Sequence, residues 1–358
     1  MNFASDNAAP ASPRIIAALA AANAGAVPSY GADPWSQRAT ALICDIFERD
    51  CAVFLVATGT AANALALSAL TPPWGAVFCH EEAHIDADEC GAPEFYTGGA
   101  KLVGIAGAAG KLSPNTLKNT LQRFPPGIQH HVQGATLSLS QATESGTVYN
   151  CAELAALTRV ARDASLGVHM DGARFTNALL ALGCTAAQMT WQAGIDVLSF
   201  GATKNGALAC EAVVFFDKAK AANFPFLRKR GGHTVSKGRF LGAQMAAFLE
   251  GGHWLELARH ANASAARLAR GLAEVPGVRL AFPVEANEIF AIVPRHIEAA
   301  MQAAGVRYYP WASRSHLPGT APGPDALCLR LVTSFATQSA EVDCLLAVMQ
   351  DAANTQKS

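Results

Sequence analysis

The sequence carries little charge and no concentration of one sign. Lysine and arginine together number 27 against 28 aspartates and glutamates, which leaves a formal net charge of −1 over 358 residues, with no long basic or acidic run. Nucleic acids and anionic membranes are bound through basic patches. The sequence therefore predicts that neither is a partner of this protein.

Long apolar runs and ordered cysteine motifs are also missing. Residues 17–26 are rich in alanine, but they are too few and too weakly apolar to cross or anchor in a membrane, and no signal core occurs near the N-terminus. The nine cysteines are irregularly spaced, without a Cys-x-x-Cys pair. This usage is typical of reduced core cysteines in a cytosolic protein. We therefore expect a cytoplasmic location.

The apolar half of the composition is arranged in short runs that alternate with amphipathic stretches, which favours a mostly parallel sheet covered by helices. The predicted strands are 52–57, 76–80, 102–105, 135–140, 168–171, 195–200 and 212–216. The predicted helices are 60–70, 114–124, 152–165, 173–182, 235–250 and 254–273.

The last hundred residues have a different pattern of predicted strands and helices. Their predicted strands are 278–281, 289–293, 307–309 and 327–332, with helices over 296–303 and 340–352. We predict an α/β fold with a large domain over residues 1–250 and a smaller C-terminal α/β domain over residues 251–358.

A candidate anion site follows the first predicted strand, in Thr58-Gly59-Thr60-Ala61-Ala62-Asn63. Because the segment opens a helix, free backbone N–H groups and the positive end of the helix dipole gather there, which suits a phosphate. Gly59 allows close approach of the backbone, and Thr60 adds a hydroxyl. An ordinary strand–helix turn with a threonine cap has the same pattern. Alone, the motif favours neither interpretation.

Two reactive side chains follow other predicted strands. Asp171 ends a strand at the carboxyl edge of the sheet, where open α/β folds bind ligands, although it could equally cap the next helix. Lys204 stands in a glycine-flanked turn, where desolvation makes a lysine nucleophilic; a solvated loop lysine is the alternative. A phosphate cradle, a carboxylate and a lysine together are what pyridoxal 5'-phosphate needs. The sequence therefore predicts this cofactor.

These motifs resemble those of the low-specificity L-threonine aldolases, pyridoxal-phosphate enzymes with the aspartate-aminotransferase-like fold (fold type I). The resemblance extends from Phe3-Ala4-Ser5-Asp6-Asn7 to residues 331–335, and is clearest in residues 58–63, 88–95, 169–174 and 199–206. Within the family the sequence is most similar to bacterial phenylserine aldolases. The resemblance implies reversible cleavage of L-threonine, L-allo-threonine or L-phenylserine to glycine and an aldehyde.

The resemblance also implies roles for individual residues. It gives as catalytic residues Lys204, His84 and Glu144. It gives as cofactor-binding residues Gly59, Thr60, His84, Asp171, Arg174, Lys204 and Lys229. It gives as substrate-binding residues Ser5, Tyr30, Asp88, Arg174 and Arg330.

Several of these roles are specific. Lys204 matches the Schiff-base lysine, and Asp171 matches the acid facing the ring nitrogen. His84 matches a histidine stacked on the ring, and Arg330 matches the arginine that grips the α-carboxylate with its planar fork. Tyr30 matches a tyrosine that reaches the site of a neighbouring subunit, which implies a homo-oligomer, a dimer of dimers, with sites at the dimer interface.

Two positions depart from the family pattern. Glu144 stands where many relatives have a histidine near the substrate hydroxyl, and Asp88 stands where many have an aromatic residue. Both concern the β-carbon side of the pocket, so the threo/erythro preference is left open. The base that takes the hydroxyl proton is His84, Glu144 or a held water.

Other interpretations are weaker. His80-Glu81-Glu82-Ala83-His84 fits a zinc-protease pattern, but the first histidine ends a predicted strand, so we expect no metal. A dinucleotide-binding oxidoreductase would need G-x-G-x-x-G after the first strand, which is absent. A β-eliminating lyase or racemase with the same cofactor, and a non-enzymatic member of the fold, are the remaining alternatives.

Overall fold

A seven-stranded sheet forms the centre of the protein in a computed structural model that describes residues 1–355. Its strands are β1 (Ala52–Val56), β2 (Gly75–His80), β3 (Lys101–Ile105), β4 (Gln133–Ser140), β5 (Gly167–Gly172), β6 (Val197–Gly201) and β7 (Glu211–Phe215). They lie in the order β1-β7-β6-β5-β4-β2-β3. Only β7 runs antiparallel to its neighbours β1 and β6. The predicted mostly parallel α/β sheet is thus confirmed.

Helices flank the sheet. In chain order they are α1 (Pro13–Ala22), α2 (Pro34–Ile46), α3 (Gly59–Leu70), α4 (His84–Ala87), α5 (Ala92–Thr97), α6 (Pro114–Leu121), α7 (Cys151–Asp163), α8 (Phe175–Leu182), α9 (Ala186–Met189), α10 (Phe224–Arg230), α11 (Arg239–Leu249) and α12 (His253–Ala273). Strands β2, β6 and β7 are buried at every position, which is why they read as continuous apolar runs rather than alternating ones.

Four helices of six or more residues were not predicted: α1, α2, α5 and α10. Each has a proline in its first turn, where the missing N–H is not needed for an intrahelical bond. The proline was therefore a helix-start signal in all four, and the apolar periodicity alone did not reveal them.

A second, antiparallel sheet of four strands follows α12, in the order β10-β11-β9-β8. Its elements are β8 (Arg279–Leu280), β9 (Glu288–Pro294), α13 (Arg295–Ala303), β10 (Tyr309–Pro310), β11 (Ala326–Val332) and α14 (Ser339–Thr355). The strand predicted over 307–309 is corrected: it begins at Tyr309. Arg307 instead forms an isolated parallel bridge with Asn2.

The chain breaks between α11 and α12 at Gly251 and Gly252, which have φ of +63° and +74°. Only glycine adopts this region readily, so the two helices cannot continue into one. The break falls at the predicted boundary at residue 250. Phe3 packs in the core of the second sheet, so the N-terminal segment joins both regions. The division into domains 1–250 and 251–358 stays a prediction.

The topology brings several chain segments to one edge of the large sheet. The carboxyl ends of β1, β5 and β6 meet there, and they lead into α3, to Asp171 and to the Lys204 turn. Since β7 is antiparallel, its first residue, Glu211, lies at this edge between Val56 of β1 and Gly201 of β6.

Candidate active site

A cavity of about 450 Å³ opens at this edge of the sheet. It brings together the predicted residues Gly59, Thr60, His84, Glu144, Asp171, Arg174 and Lys204. It also contains polar residues that the sequence analysis did not single out, namely Asn7, Asn63, Glu89, Ser199, Thr203 and Glu211. Residues distant in sequence thus form one polar pocket.

The N-terminus of α3 forms one wall of the cavity. Thr58 is its N-cap: its hydroxyl accepts from the N–H of Ala61 at 3.2 Å, and its carbonyl accepts from Ala62 at 3.1 Å. Within residues 1–355, the N–H groups of Gly59 and Thr60 have no such partner. A Cβ atom placed on Gly59 would have no heavy atom within 4 Å apart from its chain neighbours and its own helix backbone, so the space beside the backbone is open. Two free N–H groups at a helix N-terminus are suited to an anion.

Lys204 lies opposite, in a turn that other side chains hold in place. The Thr203 hydroxyl accepts from the Cys210 N–H at 3.1 Å, and the Asn205 amide donates to the Trp254 carbonyl at 2.9 Å. The Lys204 ammonium itself has no hydrogen bond or ion pair with any described residue. A fixed turn therefore places the side-chain nitrogen of Lys204, without a hydrogen-bond or ion-pair partner, at the cavity.

Asp171 is buried at the end of β5. One carboxylate oxygen accepts from the Ala173 N–H at 3.0 Å, and the other accepts from the Asn63 amide at 2.9 Å. Below it, His169 is held between the hydroxyls of Ser138 and Ser199, and burial lowers the pKa of His169 to about 4. Because His169 is neutral, Asp171 has no cation from its own sheet and can hold one from a ligand.

A hydrogen-bonded chain connects Asp171 to His84. The Asn63 amide also donates to Glu89 Oε1 at 2.8 Å, and the same oxygen is 2.8 Å from His84 Nδ1. This bond raises the pKa of His84. The sequence analysis assigned no role to Asn63 or Glu89, although both lie inside motifs that it quoted. The sequence identified the motifs that contain these two residues, but the hydrogen bonds that explain their presence appear only in the structure.

Glu144 is a half-buried carboxyl group on the cavity wall after β4. Burial raises its pKa to about 7; the positive charge of His84 opposes this rise, and the negative charge of Glu288 adds to it. A group with such a pKa exchanges its proton readily at neutral pH. Glu144 can therefore serve as an acid or a base in this pocket.

Arg174 lines the cavity, but its fork is occupied by two carboxylates. Nε and Nη2 donate to Asp6 at 2.8 and 3.0 Å, and Nη1 lies 3.1 Å from Glu288. Burial alone would raise the pKa of Asp6, but the charge and hydrogen bonds of Arg174, the charge of Lys204 and the hydrogen bond from Asn287 together lower that pKa. The contacts of Arg174 with the cofactor and the substrate carboxylate stay predictions, since its recorded partners are protein carboxylates.

We expect Asp6→Ala to lower the free energy of unfolding by about 3–5 kcal/mol, because it leaves Arg174 buried beside a single carboxylate. The exposed Asp50, paired with Lys218, is the control: Asp50→Ala should cost at most about 1 kcal/mol. Urea unfolding measures both. Since the pKa of Asp6 is lowered in the folded state, its contribution is complete at neutral pH and is lost as the pH falls below about 4. Equal losses for the two variants would contradict this.

Five predicted residues lie outside the cavity. Arg330 stacks over Trp311 and Tyr309, at 4.9 and 5.4 Å, and its Nη2 donates to the Ala4 carbonyl at 3.4 Å. Ser5 caps a short turn by accepting from the Asn7 N–H at 3.1 Å. The others lie on the surface: Tyr30, Asp88 and Lys229. The substrate and cofactor roles of all five stay predictions.

His80 and His84 do not share a helix. His80 ends β2, as expected, and its Nε2 lies 3.0 Å from the Gly107 carbonyl, whereas His84 begins α4. The zinc-protease arrangement of two histidines on one helix face is therefore not formed. Among residues 1–355 no three histidine, cysteine or acidic side chains gather as a metal site. No helix in that range has the length and apolar character to cross a membrane.

The profile of the β-eliminating lyase family matches residues 2–295. The low-specificity L-threonine aldolase of Pseudomonas aeruginosa is 44% identical over 308 residues, 86% of this chain and 88% of that protein. This chain belongs to the low-specificity L-threonine aldolase family. A second aldolase of that name, from another Pseudomonas, is also 44% identical over 86% of the chain.

Two solved structures share the fold of this threonine aldolase family member. Leishmania major threonine aldolase is 28% identical and superposes with a TM-score of 0.90, over 98% of this chain and 99% of that one. Serine palmitoyltransferase from Sphingomonas wittichii, at 16% identity, has a TM-score of 0.72 over 100% of this chain and 88% of that one. The second likeness concerns the fold alone. Both agree with the predicted fold type I.

Proposed function

We propose that this protein is a pyridoxal-phosphate-dependent carbon–carbon lyase that cleaves L-threonine, L-allo-threonine and L-phenylserine to glycine and an aldehyde. One observation carries the proposal: the uncommitted amine of Lys204, the Asp171 carboxylate and the free N–H groups of α3 all face one cavity. Membership of the threonine aldolase family supports the reaction.

The residues of the cavity fit the cofactor. The N–H groups of Gly59 and Thr60 would hold its phosphate, Asp171 would hold its protonated ring nitrogen, and Lys204 would hold it covalently. Asn63 Oδ1 and Glu89 Oε2 are buried acceptors without a partner among the described residues, so both can accept a hydrogen bond from a ligand. When bound, the cofactor supplies an electron sink for the breaking carbon–carbon bond.

The protein's own groups then position the substrate and move its protons. Arg330 and Ser5 would bind the substrate carboxylate, and that grip fixes which bond of the α-carbon breaks. We assign Glu144 as the acceptor of the β-hydroxyl proton. Its pKa of about 7 leaves it largely ionised above neutral pH, whereas Nδ1 of His84 is already hydrogen-bonded to Glu89 at 2.8 Å.

We expect Glu144→Gln to lower kcat/KM for cleavage by about 10²–10³-fold. In the wild type, kcat/KM should fall as the pH drops below about 7, because Glu144 gains a proton there; the variant should lack this limb. The threo/erythro activity ratio of the variant should also change. Glu274→Gln, at an exposed glutamate directly after α12, is the control. An unchanged ratio and an unchanged pH profile would remove Glu144 from the reaction.

The second candidate is elimination or racemisation with the same cofactor, which the matched β-eliminating lyase profile favours. Analysis of products from L-threonine, L-allo-threonine and L-phenylserine separates the reactions. Aldol cleavage releases glycine and an aldehyde, elimination releases ammonia and a keto acid, and a racemase yields the other enantiomer. Glycine and aldehyde in equal amounts support the proposal, and ammonia without glycine would refute it.

The proposal includes a homo-oligomer with sites at the interface, as a dimer of dimers. Large apolar side chains are exposed on neighbouring surface elements: Tyr30 lies against Lys229 of α10, α10 carries Phe226, and Phe95 belongs to α5. Tyr96 connects α5 to Gly231, which follows α10. Exposed apolar patches of this kind are typical of subunit contacts.

Sedimentation of the wild type and of Phe226→Glu tests the proposed homo-oligomer, and a monomeric wild type would refute it. The cytoplasmic location likewise stays a prediction.

A further inference from the structure

Glu211 is a buried carboxyl group in the cavity that the proposed reaction leaves without a role. It is 6% exposed and begins β7. Its register partners are Val56, three residues before the start of α3, and Gly201, three residues before Lys204. Glu211 therefore lies between the anion-binding end of α3 and the lysine turn, and its side chain lines the cavity with Gly59 and Thr60.

The carboxyl group is held by the turn that carries Lys204. Its Oε2 accepts a hydrogen bond from the Ala202 N–H at 2.7 Å, and Thr203 also hydrogen-bonds to it. These bonds come from one side, the β6 end. They fix the carboxyl group at the cavity wall, and they do not involve the free N–H groups of α3.

The charges around Glu211 are few. From the β6 turn it faces Lys204, and on its own strand the buried thiol of Cys210 precedes it. Residues 56–63, which end β1 and open α3, contain no titratable side chain. Burial raises the pKa of Glu211 to about 7, against the hydrogen bonds from Thr203 and Ala202 and the charge of Lys204. The carboxyl group of Glu211 therefore changes its charge near neutral pH.

We infer that Glu211 must be protonated for a phosphate dianion to bind at the N-terminus of α3, so that cofactor binding takes up one proton. This inference rests on the proposed function. An ionised carboxylate beside a dianion in a cavity of low dielectric is strongly repulsive. A protonated carboxyl group removes that repulsion and can donate its O–H to a phosphate oxygen. Glu211 thus makes phosphate affinity depend on pH.

The size of the effect follows from the protonated fraction. With a pKa of about 7, that fraction falls about tenfold between pH 6 and pH 8, and the affinity for the phosphate should fall with it. The side-chain amide that Glu211→Gln introduces is neutral at every pH and remains a donor. The variant should therefore lack this tenfold loss while keeping the affinity that the wild type has at pH 6.

The test uses pyridoxamine 5'-phosphate, which lacks the aldehyde and so does not react with Lys204. Calorimetry on the full chain freed of cofactor gives its Kd at pH 6 and pH 8 for the wild type and for Glu211→Gln. The phosphate's own ionisation, with a pKa of about 6, affects both proteins equally, so the difference between them isolates Glu211. We expect the wild type to lose about tenfold more affinity than the variant.

A measurement on the wild type alone keeps the test independent of the variant's folding. Titrations at pH 8 in two buffers of different ionisation enthalpy should report uptake of about 0.9 proton per phosphate ligand bound. Pyridoxamine, without the phosphate, should show no such uptake. Equal pH dependence of the two proteins, or binding without proton uptake, would overturn the inference about Glu211 but not the proposed function. Failure of pyridoxamine 5'-phosphate to bind at either pH would overturn the proposed function and the inference with it.

Discussion

Replacing Lys204 with alanine should abolish the visible absorbance of the bound cofactor and lower kcat by more than about 10³-fold. Lys204 is the lysine of the cavity, and the turn around it is held by a hydrogen bond that Thr203 accepts from Cys210 and one that Asn205 donates to Trp254. No other amine is placed to take over covalent attachment within the described cavity lining. The loss should therefore appear both in the spectrum and in aldehyde release.

The control for this variant is Lys218→Ala. Lys218 is exposed and pairs with Asp50, outside the cavity, so its loss should change neither the spectrum nor kcat. Thermal unfolding of both variants shows whether the fold is kept. A yellow, fully active Lys204→Ala protein would refute the assignment of the lysine and the cofactor chemistry that depends on it.

Asp171→Asn should lower kcat by about 10²–10³-fold, because an amide cannot hold a proton on a ring nitrogen as a carboxylate does. The carboxylate of Asp171 accepts from Asn63 and Ala173, and the neutral His169 below gives it no counter-charge. Its negative charge is thus free to stabilise a cationic ring. Asparagine keeps the shape and one acceptor, so the fold should survive.

The readouts for Asp171→Asn are kcat and the pH dependence of the cofactor's absorbance, both against Asp163→Asn, an exposed aspartate at the end of α7. We expect the spectrum of Asp171→Asn to shift at neutral pH as the ring nitrogen loses its proton. If kcat stays within about twofold of the wild type and the spectrum is unchanged, Asp171 does not face the ring nitrogen.

The sequence was sufficient where the signal is local. Strands such as β6 and β7 are buried along their whole length, so their apolar runs identify them without reference to the rest of the chain. Thr58 follows β1, Asp171 lies at the end of β5 and Lys204 follows β6, and the carboxyl ends of parallel strands share one edge of a sheet. Their convergence on one cavity was therefore predictable.

The partner of each group was decided by tertiary structure alone. Arg174 is paired with Asp6 and Glu288, which are more than a hundred residues away on either side, and no spacing rule connects them. Glu211 lies at the cavity only because β7 is antiparallel, which puts its first residue among the last residues of its neighbours. Sequence patterns report how each segment is buried, whereas the charge and proton affinity of a side chain depend on the groups that folding places beside it.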